Sequence, residues 1–142
     1  MQAIQLANPD GLTSTPVKRL PERSVLLVNY LRMVARRSRS AARMDLNEAC
    51  GLLLADPANA DMRHAEILIR GFKQAVGKRP VFFQPDTDGM SFDEAWLGRL
   101  FETLARGDED SFVFLIKSRV PLWTQRNFAF LIRSISEQFS QT

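Results

Sequence analysis

Four arginines are the first residues whose type and spacing could do chemistry. Arg32, Arg36, Arg39 and Arg43 stand at intervals of four, three and four, which on a continuous α-helix sets them along one face. Each guanidinium is a planar fork of donors that matches a carboxylate or a phosphate. The row is therefore a candidate surface for an acidic partner or an anion. Its surroundings are as basic: between Val17 and Arg43, eight bases (Lys18, Arg19, Arg23, Arg32, Arg36, Arg37, Arg39, Arg43) stand against Glu22 alone, a charge of +7. From Met44 onward eleven bases meet fourteen acids, a charge of −3. Charge runs are ordinarily solvated faces, and that plainer expectation has the row pairing with the chain's own acids, such as Asp108, Glu109 and Asp110. Nucleic acid is a less favoured partner, because the rest of the chain is acidic and no aromatic residues interleave with the arginines to stack bases.

A second feature is apolar. Lys78 to Met90 contains two prolines, Pro80 and Pro85, which forbid a helix, and it holds Val81-Phe82-Phe83 between them. Thirteen residues are many for a link between packed helices. Phenylalanine is usually buried, so the leading expectation lays this segment across the bundle as a lid on the core. The alternative is a docking strip for a partner or a small apolar ligand. Phe112-Val-Phe-Leu-Ile116 is apolar on every side, so its helix is either central or presents a face to a second subunit. Trp123, just after Pro121, is a candidate anchor for such an interface.

Little else suggests a reaction. A single histidine, His64, and a single cysteine, Cys50, provide no zinc set and no internal disulfide. His64 reads as a surface or boundary residue and Cys50 as a small core residue. Asp86-Thr-Asp-Gly89 fails as a calcium loop: aligning Gly89 with the sixth position places Gln84 at the first and Ala95 at the twelfth, where carboxylates are required. A helix-turn-helix over Leu97–Arg119 would present Asp108, Glu109 and Asp110 to phosphates, which they would repel. Phosphate loops, nucleophile elbows and His-Glu-x-x-His motifs are absent from the sequence, so no enzyme and no cofactor are expected.

The elements that must position these residues follow from periodicity and capping. Asn8-Pro-Asp-Gly11 and Thr13-Ser-Thr-Pro16 are turn chemistry, so residues 1–16 are expected to form a poorly ordered arm and 17–142 a single helical domain. A first helix begins near Pro21 or Glu22, with Leu27, Tyr30, Leu31 and Val34 at helical spacing, and either stops near Arg37 or continues through Arg43. Asp45 caps a second helix, with Glu48 in a variant capping box. Pro57 opens a third, in which Ala65, Leu68, Ile69, Phe72 and Val76 form one buried face as far as Gly77. Ser91-Phe-Asp-Glu94 is a capping box ahead of Trp96, Leu97, Leu100, Phe101 and Leu104, closed by Gly107. A short helix follows, with Asp108, Glu109 and Asp110 at its positive end. Val120-Pro121 breaks it, and the last helix turns Phe128, Leu131, Ile132, Ile135 and Phe139 to one side.

The expected fold is all-α, a compact bundle of five to six short helices with one long connector. No stretch approaches a membrane span and the N-terminus lacks signal-peptide character, so a cytoplasmic chain is expected. The expected role is a non-catalytic, bacterial-type helical module for binding or regulation. It would act through protein–protein contacts, a second copy of itself among the partners, using Arg32, Arg36, Arg39 and Arg43 for charge and Phe82, Phe83 and Trp123 for apolar contact. The alternative is nucleic-acid or anionic-ligand binding through residues 17–43.

Overall fold

The computed structural model describes residues 20–38, 45–55 and 62–140. The expected N-terminal arm, Arg39, Arg43 and Pro57 lie outside the described residues. Within them the chain is all-α: α1 (Glu22–Arg37), α2 (Leu46–Ala55), α3 (Arg63–Arg70), α4 (Phe72–Val76), α5 (Phe92–Arg106), α6 (Glu109–Arg119) and α7 (Leu122–Ser140). No described helix is long and apolar enough to cross a membrane.

Caps read from the sequence mark four of the helix ends. The Asp45 carboxylate accepts the Glu48 N–H at 2.9 Å and starts α2. Ser91 and Glu94 form the reciprocal capping box of α5, with Glu94 N–H donating to Ser91 Oγ at 3.1 Å and Ser91 N–H to Glu94 Oε1 at 3.0 Å. Gly107 ends that helix in the left-handed region at φ +71°, where a side chain would be strained. Asp108 accepts the Ser111 N–H and starts α6. One boundary departs from the periodicity: the single helix expected through Val76 is broken at Gly71 into α3 and α4. The apolar face continues through the break, with Ala65, Leu68 and Phe72 all buried, so hydrophobic spacing alone carries no sign of it. Gly71 itself is the weak point, since glycine is a poor helix former. Leu46 of α2 packs onto the bare Cα of Gly71.

α7 is the axis of the bundle, in contact with α2, α3, α4, α5 and α6, while α1 packs on α5 and α3. At the centre Trp96, Phe72 and Phe128 form an aromatic cluster, Trp96 to Phe128 at 5.5 Å between centroids and Phe72 edge-on to Trp96 at 6.3 Å. The buried indole N–H is satisfied by the Leu115 carbonyl at 3.2 Å. α6 is not central. Phe112 and Ile116 point inward, but Val113 and Phe114 are exposed, Phe114 at 69%.

Gly71→Ala tests the close approach of α2 to the α3–α4 junction. The new Cβ would lie 2.7 Å from Leu46 Cδ1 and 3.1 Å from the Ile67 carbonyl oxygen. Overpacking of this kind costs about 1–3 kcal/mol, and urea unfolding should show a lower midpoint at an unchanged slope.

Candidate functional site

Of the four arginines, Arg32 and Arg36 lie among the described residues, and their surroundings differ. Arg32 is buried at 5% exposure, because it follows Leu31 and lies one turn beyond Val28 on the packed side of α1. There it meets Glu94 of α5, itself fully buried, in a two-point pair: Arg32 Nε donates to Glu94 Oε2 at 2.8 Å and one Nη to Glu94 Oε1 at 2.9 Å. Its remaining donors reach the connector, to the Thr87 carbonyl at 3.0 Å and the Gly89 carbonyl at 2.7 Å. Arg32 is thus an internal clamp, and its partner is Glu94. The acids at the start of α6 are engaged elsewhere: Glu109 with Arg133 and Asp108 with Arg106. Arg36, one turn further along α1, is exposed.

Glu94 and its neighbour Asp93 between them fasten the connector. Glu94 Oε2 also accepts the Phe83 N–H at 2.7 Å. Asp93 Oδ2 accepts the Val81 N–H and Lys78 Nζ, both at 2.9 Å, while its other oxygen takes Arg119 at 2.8 Å. Ser91 Oγ donates to the Val81 carbonyl at 2.5 Å. Two consecutive carboxylates in the first turn of α5 are favoured by the helix dipole, and here they also satisfy the backbone of a loop with no regular partner of its own. Burial pushes the Asp93 carboxyl up, but the hydrogen bonds from Lys78, Arg119 and the Val81 N–H outweigh it and hold the group below its ordinary value. Arg119 is stacked in turn on Trp96 and Phe92, at 4.6 and 4.9 Å from their centroids.

Held in this way, the connector forms one wall of a pocket of about 400 Å³. The C-terminal part of α1 gives Arg32, Arg36 and Ser38. The α3–α4 junction gives Ile69, Arg70 and Lys73, and the connector gives Arg79, Pro80, Phe82, Phe83 and Pro85. No carboxylate lines it among the described residues. Arg36, Lys73 and Arg79 are exposed and have no ion pair among the described residues. Phe82 packs on the core and is half-buried. Phe83 is half-buried with the Arg32 guanidinium 5.8 Å from its ring centroid. The segment therefore covers part of the core through Phe82, and both phenylalanines also line the pocket.

The structure brings together Arg32, Arg36, Phe82 and Phe83, which the sequence offered as two unrelated features. Trp123 is elsewhere, 59% exposed at the start of α7 beside Leu122 at 83%. Arg70, Lys73 and Arg79 are the pocket residues that sequence reasoning missed. Their signal was weak: Arg70 and Lys73 look like ordinary polar-face residues, and Arg79 like the basic edge of a loop. His64 is buried rather than at the surface, its Nδ1 3.0 Å from Gln138 Nε2 and its ring against Phe130. Burial pushes the Cys50 thiol up to about 11, so at neutral pH it is protonated and a poor nucleophile. The Asp86–Gly89 turn gives its Thr87 and Gly89 carbonyls to Arg32, and the described residues contain no cluster of acids, histidines or cysteines that could hold a metal ion.

Two measurements test this scaffold. Glu94→Ala leaves the Arg32 guanidinium buried and unpaired, and should cost about 3–5 kcal/mol in urea unfolding. Asp93 titrates below the usual aspartate value of 3.8 in the folded chain. Its contribution is therefore complete above that value and is lost as pH falls below it. The stability gap between wild type and Asp93→Asn should hold steady near neutrality and narrow once the pH drops under about 4.

Against known proteins, the chain matches no family model, no curated protein and no solved structure.

Proposed function

We propose that this chain is a non-catalytic binding module that takes an anionic ligand in the pocket between α1, the α3–α4 junction and the connector. The observation that carries the reading is the lining: Arg36, Lys73 and Arg79 reach one concavity from three separate segments, and no acid lines it among the described residues. Exposed cations ordinarily spread apart or pair with acids, since like charges held close destabilise the fold. A phosphate or carboxylate group would meet several charge-assisted donors at once. A volume of about 400 Å³ also falls in the range of small-ligand sites, about 300–1,000 Å³.

The test is isothermal titration with inorganic pyrophosphate at low ionic strength. Binding is expected, weakening as salt is added, and the double variant Arg36→Gln/Arg79→Gln should bind at least about tenfold more weakly. Wild-type protein that takes up no pyrophosphate under these conditions would remove the reading.

A second reading, contact with another copy of the chain, is favoured by a different observation. Phe114, Leu122 and Trp123 are exposed at 69%, 83% and 59%, and tryptophan is a favoured anchor of interfaces. Sedimentation velocity should then show a dimer that Leu122→Ser/Trp123→Ala converts to monomer. A concentration-independent monomer for the wild type would end it.

A further inference from the structure

We infer that the ligand of this pocket is a nucleotide unit, its phosphates on Arg36, Lys73 and Arg79 and its base against the phenylalanine wall of the connector. This inference rests on the anionic-ligand reading and adds to it the nature of the other half of the ligand. An inorganic anion needs only the cations. The pocket has a second kind of surface besides them, made of Phe82, Phe83, Pro80 and Pro85 of the connector, which gives a bare anion nothing and a flat ring a great deal.

The aromatic wall is held in place before any ligand arrives. The Phe83 N–H is anchored on Glu94 Oε2 at 2.7 Å, and the Arg32 guanidinium lies 5.8 Å from its ring. That guanidinium is fixed by four hydrogen bonds to Glu94, Thr87 and Gly89, so the ring beside it has little freedom to lose. Preorganisation of this sort lowers the ordering cost of binding. Phe82 packs against the core as well as lining the pocket. Bases stack on such surfaces without regard to sequence, because every base has a π-face. No aromatics interleave with the arginines along the sequence, which counts against a nucleic-acid surface there. In space the connector supplies the missing rings to Arg36.

Size sets the scale of the ligand. A concavity of about 400 Å³ accommodates one base with its sugar and phosphates, not a duplex. The same chemistry could come from a free nucleotide or from one unit of a single strand.

The test titrates the full-length chain with ADP, inorganic pyrophosphate and an oligothymidylate of about eight nucleotides. ADP carries the two phosphates of pyrophosphate plus a base, and is expected to bind about five- to hundredfold more tightly, the factor that one stacked base contributes. Phe83→Leu keeps an apolar side chain of similar reach. It should bring that ratio close to one while leaving pyrophosphate affinity within about twofold, so that the anion arm reports an intact pocket in the same variant. Pyrophosphate binding with ADP no tighter would overturn the nucleotide inference and leave the anion reading standing. Binding of neither would overturn both. A ratio that survives in Phe83→Leu would also overturn it, and if that variant fails to fold, the wild-type ratio of ADP to pyrophosphate decides alone. Oligothymidylate binding tighter than ADP assigns the unit to a strand, and binding no tighter than ADP assigns it to a free nucleotide.

Discussion

The buried pair of Arg32 and Glu94 is the constraint on which the rest of the site depends. A charge taken out of water is costly, and a buried pair offsets that cost only when its geometry is good and its remaining donors and acceptors are filled. Both conditions hold. Each Glu94 oxygen accepts two hydrogen bonds, one from Arg32 and one from backbone, the Phe83 N–H on one side and the Ser91 N–H on the other. Arg32 gives its other donors to two connector carbonyls. One interaction therefore joins α1 to α5, caps α5 and shapes the loop between α4 and α5. Apolar packing could replace its energy, but not its directionality, and it is direction that turns a proline-rich connector into a wall.

Asp93 complements it at the other end of the same loop. Its two oxygens reach Val81 and Lys78 on one side and Arg119 of α6 on the other, so the connector is tied to the end of α6 as well as to α1. Neighbouring carboxylates would repel if left bare. Here each has its own cations, Lys78 and Arg119 for Asp93 and Arg32 for Glu94, and the helix dipole favours both. The loop is consequently fixed by side-chain acceptors rather than by strand or helix ladders, which is how irregular backbone can carry bulky phenylalanines without losing definition.

The helices were legible because their signals are local. Ser91 and Glu94, Asp108, Gly77 and Gly107 mark ends within a few residues of themselves, and the stripe of Phe128, Leu131, Ile132 and Ile135 marks the buried face of α7. The break at Gly71 was not legible in the apolar spacing, which runs on through it, although glycine is a poor helix former. Arg32 was half legible: its place after Leu31 and one turn beyond Val28 puts it on the packed face of α1, yet the residue type and the regular spacing to Arg36 suggested a solvated row. What decided its fate was Glu94, 62 residues away, whose local role as a capping-box acid gave no hint of a second partner. The pocket was least legible of all, since its cations come from three segments and its aromatic wall depends on that distant pair.

The clamp also explains how unpaired cations can be gathered beside one another. Arg36, Lys73 and Arg79 repel, and a loosely held loop would relax by swinging Arg79 away. The connector cannot easily do so, because Val81, two residues after Arg79, is bonded through its N–H to Asp93 and through its carbonyl to Ser91, and Phe83 to Glu94. Arg79 is thus held on the side of the pocket by the backbone of its own loop. Any species that neutralises these charges binds the folded chain in preference to the unfolded one, where the three residues are far apart, and so must raise its stability by linkage. The site thus divides in two: a mutually neutralised pair of Arg32 and Glu94 that fixes positions, and Arg36, Lys73 and Arg79, which have no ion pair among the described residues.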